Sequence, residues 1–147
     1  MLFRSYDSPT IIFPAKRRLN AEVPETLRRE WDEARICFDA KAYTATVVMI
    51  RRTLEAACKD QGLSNRNLSV ALGELKTKGL IDETLADWAH ELRLLGNRGA
   101  HALSGTITRD DAEDSLDFTE ALLEQMYVLR KRFESFRLRR SKSKKEL

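Results

Sequence analysis

Apolar residues recur at helical spacing through most of the chain, and the recurrence begins beside Pro24. Leu27, Trp31, Ala34 and Phe38 fall at i, i+4, i+7 and i+11, one stripe of an α-helix. Pro24 suits the first turn, where the N–H that proline lacks has no partner anyway. The spacing predicts a first helix over about 24–39. A second, over about 42–60, puts Tyr43, Val47, Ile50, Leu54 and Ala57 on one face with Ala42, Ala45, Met49 and Ala56 beside it, wide enough for a central helix. Gly62 closes it. Leu68, Ala71, Leu72 and Leu75 mark a shorter third helix that stops near Gly79, a residue suited to the left-handed cap conformation.

Asp82 is placed to cap a fourth helix, over about 83–96, that buries Leu85, Trp88, Ala89, Leu92 and Leu95. Gly96 and Gly99 make its continuation costly, so a break is expected near His101. Thr108-Arg-Asp-Asp111 reads as a capping box with Asp in the usual Glu position. It opens a long fifth helix with Phe118, Leu122, Met126, Leu129, Phe133 and Phe136 in register. Residues 1–23 hold Pro9, Pro14 and the β-branched pair Ile11 and Ile12 without a sustained period, which predicts an extended arm lying on the domain. No strand pattern competes after residue 24. The expected fold is all-α: an antiparallel four- to five-helix bundle, in one domain over 24–136, with an extended N-terminal arm.

Composition agrees with one compact helical unit, since 147 residues suit a single core and only six are glycine and three proline. No apolar run approaches the roughly 20 residues of a membrane helix, and no secretory signal opens the chain, so a cytoplasmic protein without membrane contact is expected. Cys37 and Cys58 fall in predicted helices without a CxxC partner and read as buried thiols. Charge is uneven. Arg137, Arg139, Arg140, Lys142, Lys144 and Lys145 crowd the end, and without these and Glu146 the chain holds 20 basic and 22 acidic residues. The pI of 9.0 therefore reports a basic tail, 137–147, expected to be a solvated, poorly ordered end that can also touch phosphates.

Candidate chemistry gathers in Arg93-Leu-Leu-Gly-Asn-Arg-Gly-Ala-His101. Helical phase sets His90, Arg93 and Asn97 within about 60° of one another, away from much of the apolar stripe. His101 lies beyond the glycines, where a turn brings its imidazole back towards Arg93 or Arg98. An imidazole exchanges a proton near neutral pH and a fixed guanidinium stabilises charge on a phosphate, a pairing able to cleave RNA without metal. A structural reading stands beside it: Asn97 as a helix cap, Arg98 solvated, His101 a buried donor. Arg51, Arg52 and Glu55 are equally open, because an Arg51–Glu55 pair stabilises a helix modestly while Glu55 is also placed to orient Arg93 or His101. Dinucleotide, metal and calcium-loop motifs are absent, so neither a cofactor nor a metal is expected.

The order Pro24, Glu33-Ala34, Ile50-Arg-Arg-Thr-Leu-Glu55, Leu75, Gly79-Leu-Ile81, Leu92-Arg-Leu-Leu-Gly-Asn97 and Ala100-His101 resembles the prokaryotic domain of unknown function 4145 family, over about residues 24–130. That family is grouped with the HEPN (higher eukaryote and prokaryote nucleotide-binding) superfamily of helical bundles. The resemblance implies a HEPN-like module that dimerises and binds nucleic acid, nucleotide or a partner protein in a prokaryotic defence setting. Ribonuclease members of that superfamily use an Arg and a His a few residues apart from each of two chains. Here seven residues separate Arg93 from His101, and two separate Arg98 from His101. The resemblance thus implies Arg93, Asn97 and His101 as a candidate site, with metal-independent endoribonuclease and structural or antitoxin-like subunit as the alternatives.

Overall fold

The computed structural model describes residues 17–63, 67–100 and 106–146, the side chains of residues 93–100 and of Glu146 excepted. Among the described residues six α-helices follow in order: α1 Glu25–Asp39, α2 Tyr43–Asp60, α3 Leu68–Thr77, α4 Glu83–Ala100, α5 Arg109–Leu123 and α6 Arg130–Glu146, with a π-helical segment, Glu124–Leu129, joining the last two. Among the described residues there is no strand, and no helix is long and apolar enough to cross a membrane.

Local chemistry explains most of the boundaries. Pro24 is the N-cap of α1, in extended conformation, one step outside the first turn where the periodicity places it. Proline's fixed φ is compatible with both positions, and the carbonyl of Pro24 accepts the N–H groups of Leu27 and Arg28. Three residues link α1 to α2, with Lys41 left-handed at φ 61°, and so short a link makes the two helices an antiparallel pair. Gly62 and Gly79 adopt φ of 79° and 75° after α2 and α3, conformations open to residues without a Cβ. The Asp82 carboxylate accepts the N–H of Leu85 at the start of α4. Thr108 and Asp111 form the reciprocal capping box of α5, at 3.1 and 3.0 Å.

Burial then selects the core. Trp31, Ala34, Leu75, Leu116, Phe118, Leu122 and Leu123 are excluded from water, and α2 packs against α1, α3, α4 and α5 as the central helix. Ala42 and Ala45 stay exposed, so its apolar face is narrower than the sequence pattern suggests. Four buried hydroxyls join this core without stranding a polar group: those of Thr46, Thr53, Ser115 and Thr119 each donate to the carbonyl four residues earlier. Trp88 meets Phe118 edge to face, with centroids 5.3 Å apart. The described part of the arm lies on the bundle. Val23 is buried, Leu19 packs on the core, and Arg17 pairs with Asp117 and Glu120 of α5. Residues 1–16 of the expected arm fall outside the described residues.

Three expectations change. First, α4 does not end at Gly96 but continues through Gly96 and Gly99 to Ala100. A glycine weakens a helix interior by only about 1 kcal/mol, too little to break a helix already formed over three turns. Second, the end of the chain is not an irregular tail: α6 runs from Arg130 to Glu146. It holds neither glycine nor proline, continues a formed helix and so avoids the nucleation penalty, and sets Lys144 and Lys145 at its C-terminal dipole. Third, the apolar stripe predicted over 118–136 is divided. Phe118, Leu122 and Met126 are core, whereas Leu129, Phe133 and Phe136 are about half exposed. At about 1.5 Å per residue α1 spans about 22 Å, while the rod from α5 to α6 spans about 55 Å and outruns every neighbour. α6 packs against no other helix among the described residues.

The capping box makes a direct test of the α5 boundary. Thr108→Ala should lower the free energy of unfolding by about 1 kcal/mol, and Thr108→Ser should retain most of it, measured by urea denaturation.

Candidate functional site

Arg51 leaves α2 one turn before Glu55, and its Nε lies 3.1 Å from the Glu55 carboxylate, so that pair closes within one helix. Arg52, on an adjacent face, reaches Glu30 of α1 at 3.0 Å. His90 is exposed on α4. Arg93, Asn97 and Arg98 also lie on α4, now one unbroken helix, so Arg93 and Asn97 sit a single turn apart in backbone register and Arg98 is about 140° round the axis from Arg93. Their side chains fall outside the described residues, as does His101 itself.

A crevice between α2, α3 and α4 has Arg51 of α2 and Leu92 of α4 in its lining. Val47, Ile50, Leu54, Leu72 and Leu92 form its apolar walls, and Arg51 and Ser69 stand at its edge. Leu92 directly precedes Arg93, so Arg51 shares the crevice with the helix that carries the candidate arginine. The cavity holds about 60 Å3. A water occupies roughly 30 Å3 and ligand pockets run to about 300 Å3 or more, so the crevice has no room for a nucleobase. No group of three metal-ligating side chains occurs among the described residues.

Of the two thiols expected to be buried, Cys37 is only half-buried. Cys58 is buried, and burial, followed by the nearby Glu55 and Glu74 carboxylates, pushes its pKa up to about 11. Burial likewise raises the phenol of Tyr127, which donates to Asp60 and accepts from Gln61 Nε2.

Tyr127 belongs to the π-helical segment, which the apolar periodicity did not reveal. Its wider turn allows Gln125 to accept the N–H of Asp82 at 2.9 Å while Tyr127 reaches the end of α2. Such segments are rare and often functional. Here the segment clamps the end of α2 and the start of α4 at the point where the rod leaves the core, and beyond it stands the strongest charge feature of the molecule. α6 holds nine of the 26 Lys and Arg residues but two of the 23 Asp and Glu, leaving the rest of the chain net acidic. Every residue from Leu129 to Lys145 is exposed.

The model of the family described as "Domain of unknown function (DUF4145)" matches residues 32–141, about three quarters of the chain. The chain belongs to the DUF4145 family. Comparison with curated proteins and with solved structures returned no match. The DUF4145 match begins inside α1 and ends at Ser141, so most of α6 lies within the family domain rather than after it. It reaches beyond the 24–130 stretch on which the resemblance rests.

Within this DUF4145 domain the Cys58 thiol has a linkage consequence. Its folded pKa, about 11, lies above the ordinary 9.0, so its contribution to stability is complete below pH 9 and is lost as pH rises towards 11. The melting temperature of the wild type should fall across that window more steeply than that of Cys58→Ala. Parallel slopes for the two proteins would refute the linkage.

Proposed function

We propose that this DUF4145 chain is a HEPN-like module that works as a cytoplasmic homodimer and binds nucleic acid in a prokaryotic defence setting. The observation that supports nucleic acid over a nucleotide or a protein partner is α6, a fully exposed helix with nine basic and two acidic residues on an otherwise acidic chain. A helix presents those cations at fixed spacing over about 25 Å, and polyanion binding is driven by the counterions that such cations release. The crevice between α2, α3 and α4 is too small for a free nucleotide.

Binding of a labelled RNA should weaken steeply with salt, and Arg137→Gln/Arg139→Gln/Arg140→Gln should both weaken it and flatten the plot of log K against log salt. Each lost phosphate contact removes about 0.7 from that slope for a single strand. An unchanged slope in a variant of wild-type helicity would dismiss α6 as the binding element.

A second reading, metal-independent endoribonuclease, draws support from the unbroken α4. One helix carries Arg93 and Asn97 a turn apart, and Arg51 shares the crevice with that helix. In that reading His101 exchanges the proton, Arg93, assisted by Arg98, holds the scissile phosphate, and His90 and Asn97 position the strand. Cleavage of RNA in excess chelator should then be lost in both Arg93→Ala and His101→Ala while their melting temperatures stay near wild type. Equal cleavage by wild type and variants would leave the binding module, and a large loss of stability in either variant would point to the structural or antitoxin-like alternative.

A further inference from the structure

Leu129, Phe133 and Phe136 are 55%, 56% and 49% exposed, and they line one strip of the rod whose α6 part otherwise holds charges, serines and Leu138. A helix needed only for charge or solubility has no use for phenyl rings in water. Each ring also carries a cation one turn on: the Arg137 guanidinium lies 5.8 Å from the Phe133 centroid and that of Arg140 6.0 Å from the Phe136 centroid. The strip thus alternates π-faces with fixed positive charge.

We infer that this strip binds unpaired nucleotides, with Phe133 and Phe136 stacking on successive bases and the neighbouring arginines holding the phosphates between them. The inference rests on the nucleic-acid reading above and adds to it the class of nucleic acid. The two phenyl positions differ by three residues, about 4.5 Å along the helix axis, a separation suited to neighbouring bases of an unstacked strand. Ring stacking requires an open base face. A duplex hides those faces in its stack, and phenylalanine has no group with which to read base edges in a groove. A lipid surface would call for a broad apolar face, but here the strip is continued by Arg140 and Lys144, while the next apolar residue, Leu138, points to the opposite side of the helix.

The test uses the full chain and fluorescence anisotropy with one 12-nucleotide sequence, as single-stranded RNA, as single-stranded DNA and annealed as duplex RNA, alongside vesicles rich in phosphatidylserine. Single strands should bind at least tenfold tighter than duplex. Phe133→Ala and Phe136→Ala should each weaken single-strand binding about tenfold and leave duplex binding within twofold, whereas Phe133→Trp should retain single-strand affinity. Both positions are exposed, so helicity by circular dichroism should remain that of the wild type. Equal affinity for single strand and duplex, or equal loss of both on Phe→Ala, would overturn the stacking inference and leave the nucleic-acid reading standing. Absence of binding to any nucleic acid would overturn both, as would binding to vesicles alone.

Discussion

The removal from water of the facing stripes of α1, α2 and α5 is the interaction on which everything else in this molecule depends. Trp31 on α1, Ile50 and Leu54 on α2 and Leu116 and Phe118 on α5 close a common core. Such burial contributes about 25 cal/mol per Å2 of apolar surface. Hydroxyls within the core add no unsatisfied group because their own helices receive them, which allows threonine and serine to sit where α2 and α5 approach. With that core formed, α3 and α4 can be held through shorter stripes, and the arm through Val23, Leu19 and the Arg17 ion pairs.

The same core limits how far the bundle reaches. Helices of 15 to 18 residues cannot accompany the α5–α6 rod along its whole length. The π-helical segment stands at that limit, with Gln125 tied to Asp82 and Tyr127 to Asp60, and it divides the rod into a buried half and a solvated half. Charge divides at the same place, with acidic residues on the bundle side and basic residues beyond. Repulsion among the cations of α6 is tolerable because water surrounds them, and the Arg130–Glu134 pair relieves part of it.

Sequence and structure agree most closely where the governing physics is local. Leu27, Trp31, Ala34 and Phe38 reveal α1 because a buried stripe must repeat with the helical turn. Gly79 and the Thr108–Asp111 box mark an end and a beginning because backbone conformation and unpaired N–H groups act over a few residues. Agreement fails where neighbours compete. Gly96 and Gly99 suggest a helix end near 96, yet the cooperativity of a formed helix carries α4 on to Ala100, and the break expected near His101 falls outside the described residues. The basic end looks unstructured when judged by its charge, yet it extends a helix that α5 has already nucleated. Of the candidate site, the chain order of Arg93, Asn97 and His101 and the i, i+4 spacing of Arg51 and Glu55 were legible. The placement of Arg51 beside the α4 helix was not, since it depends on how α2 and α4 pack.

What the amino-acid sequence determined alone was therefore the class of fold, its helices and most of their caps, together with the concentration of positive charge at one end. Periodicity, capping and net charge are properties of short segments and need no partner. Only the tertiary structure decided which half of the 118–136 apolar stripe belongs to the core. Leu122 is enclosed by the neighbouring helices, whereas Phe133 lies beyond the π-helical segment on α6, which packs against no other helix among the described residues. The reason is length: the bundle ends before the rod does, and a hydrophobic residue is buried only where another element arrives to cover it.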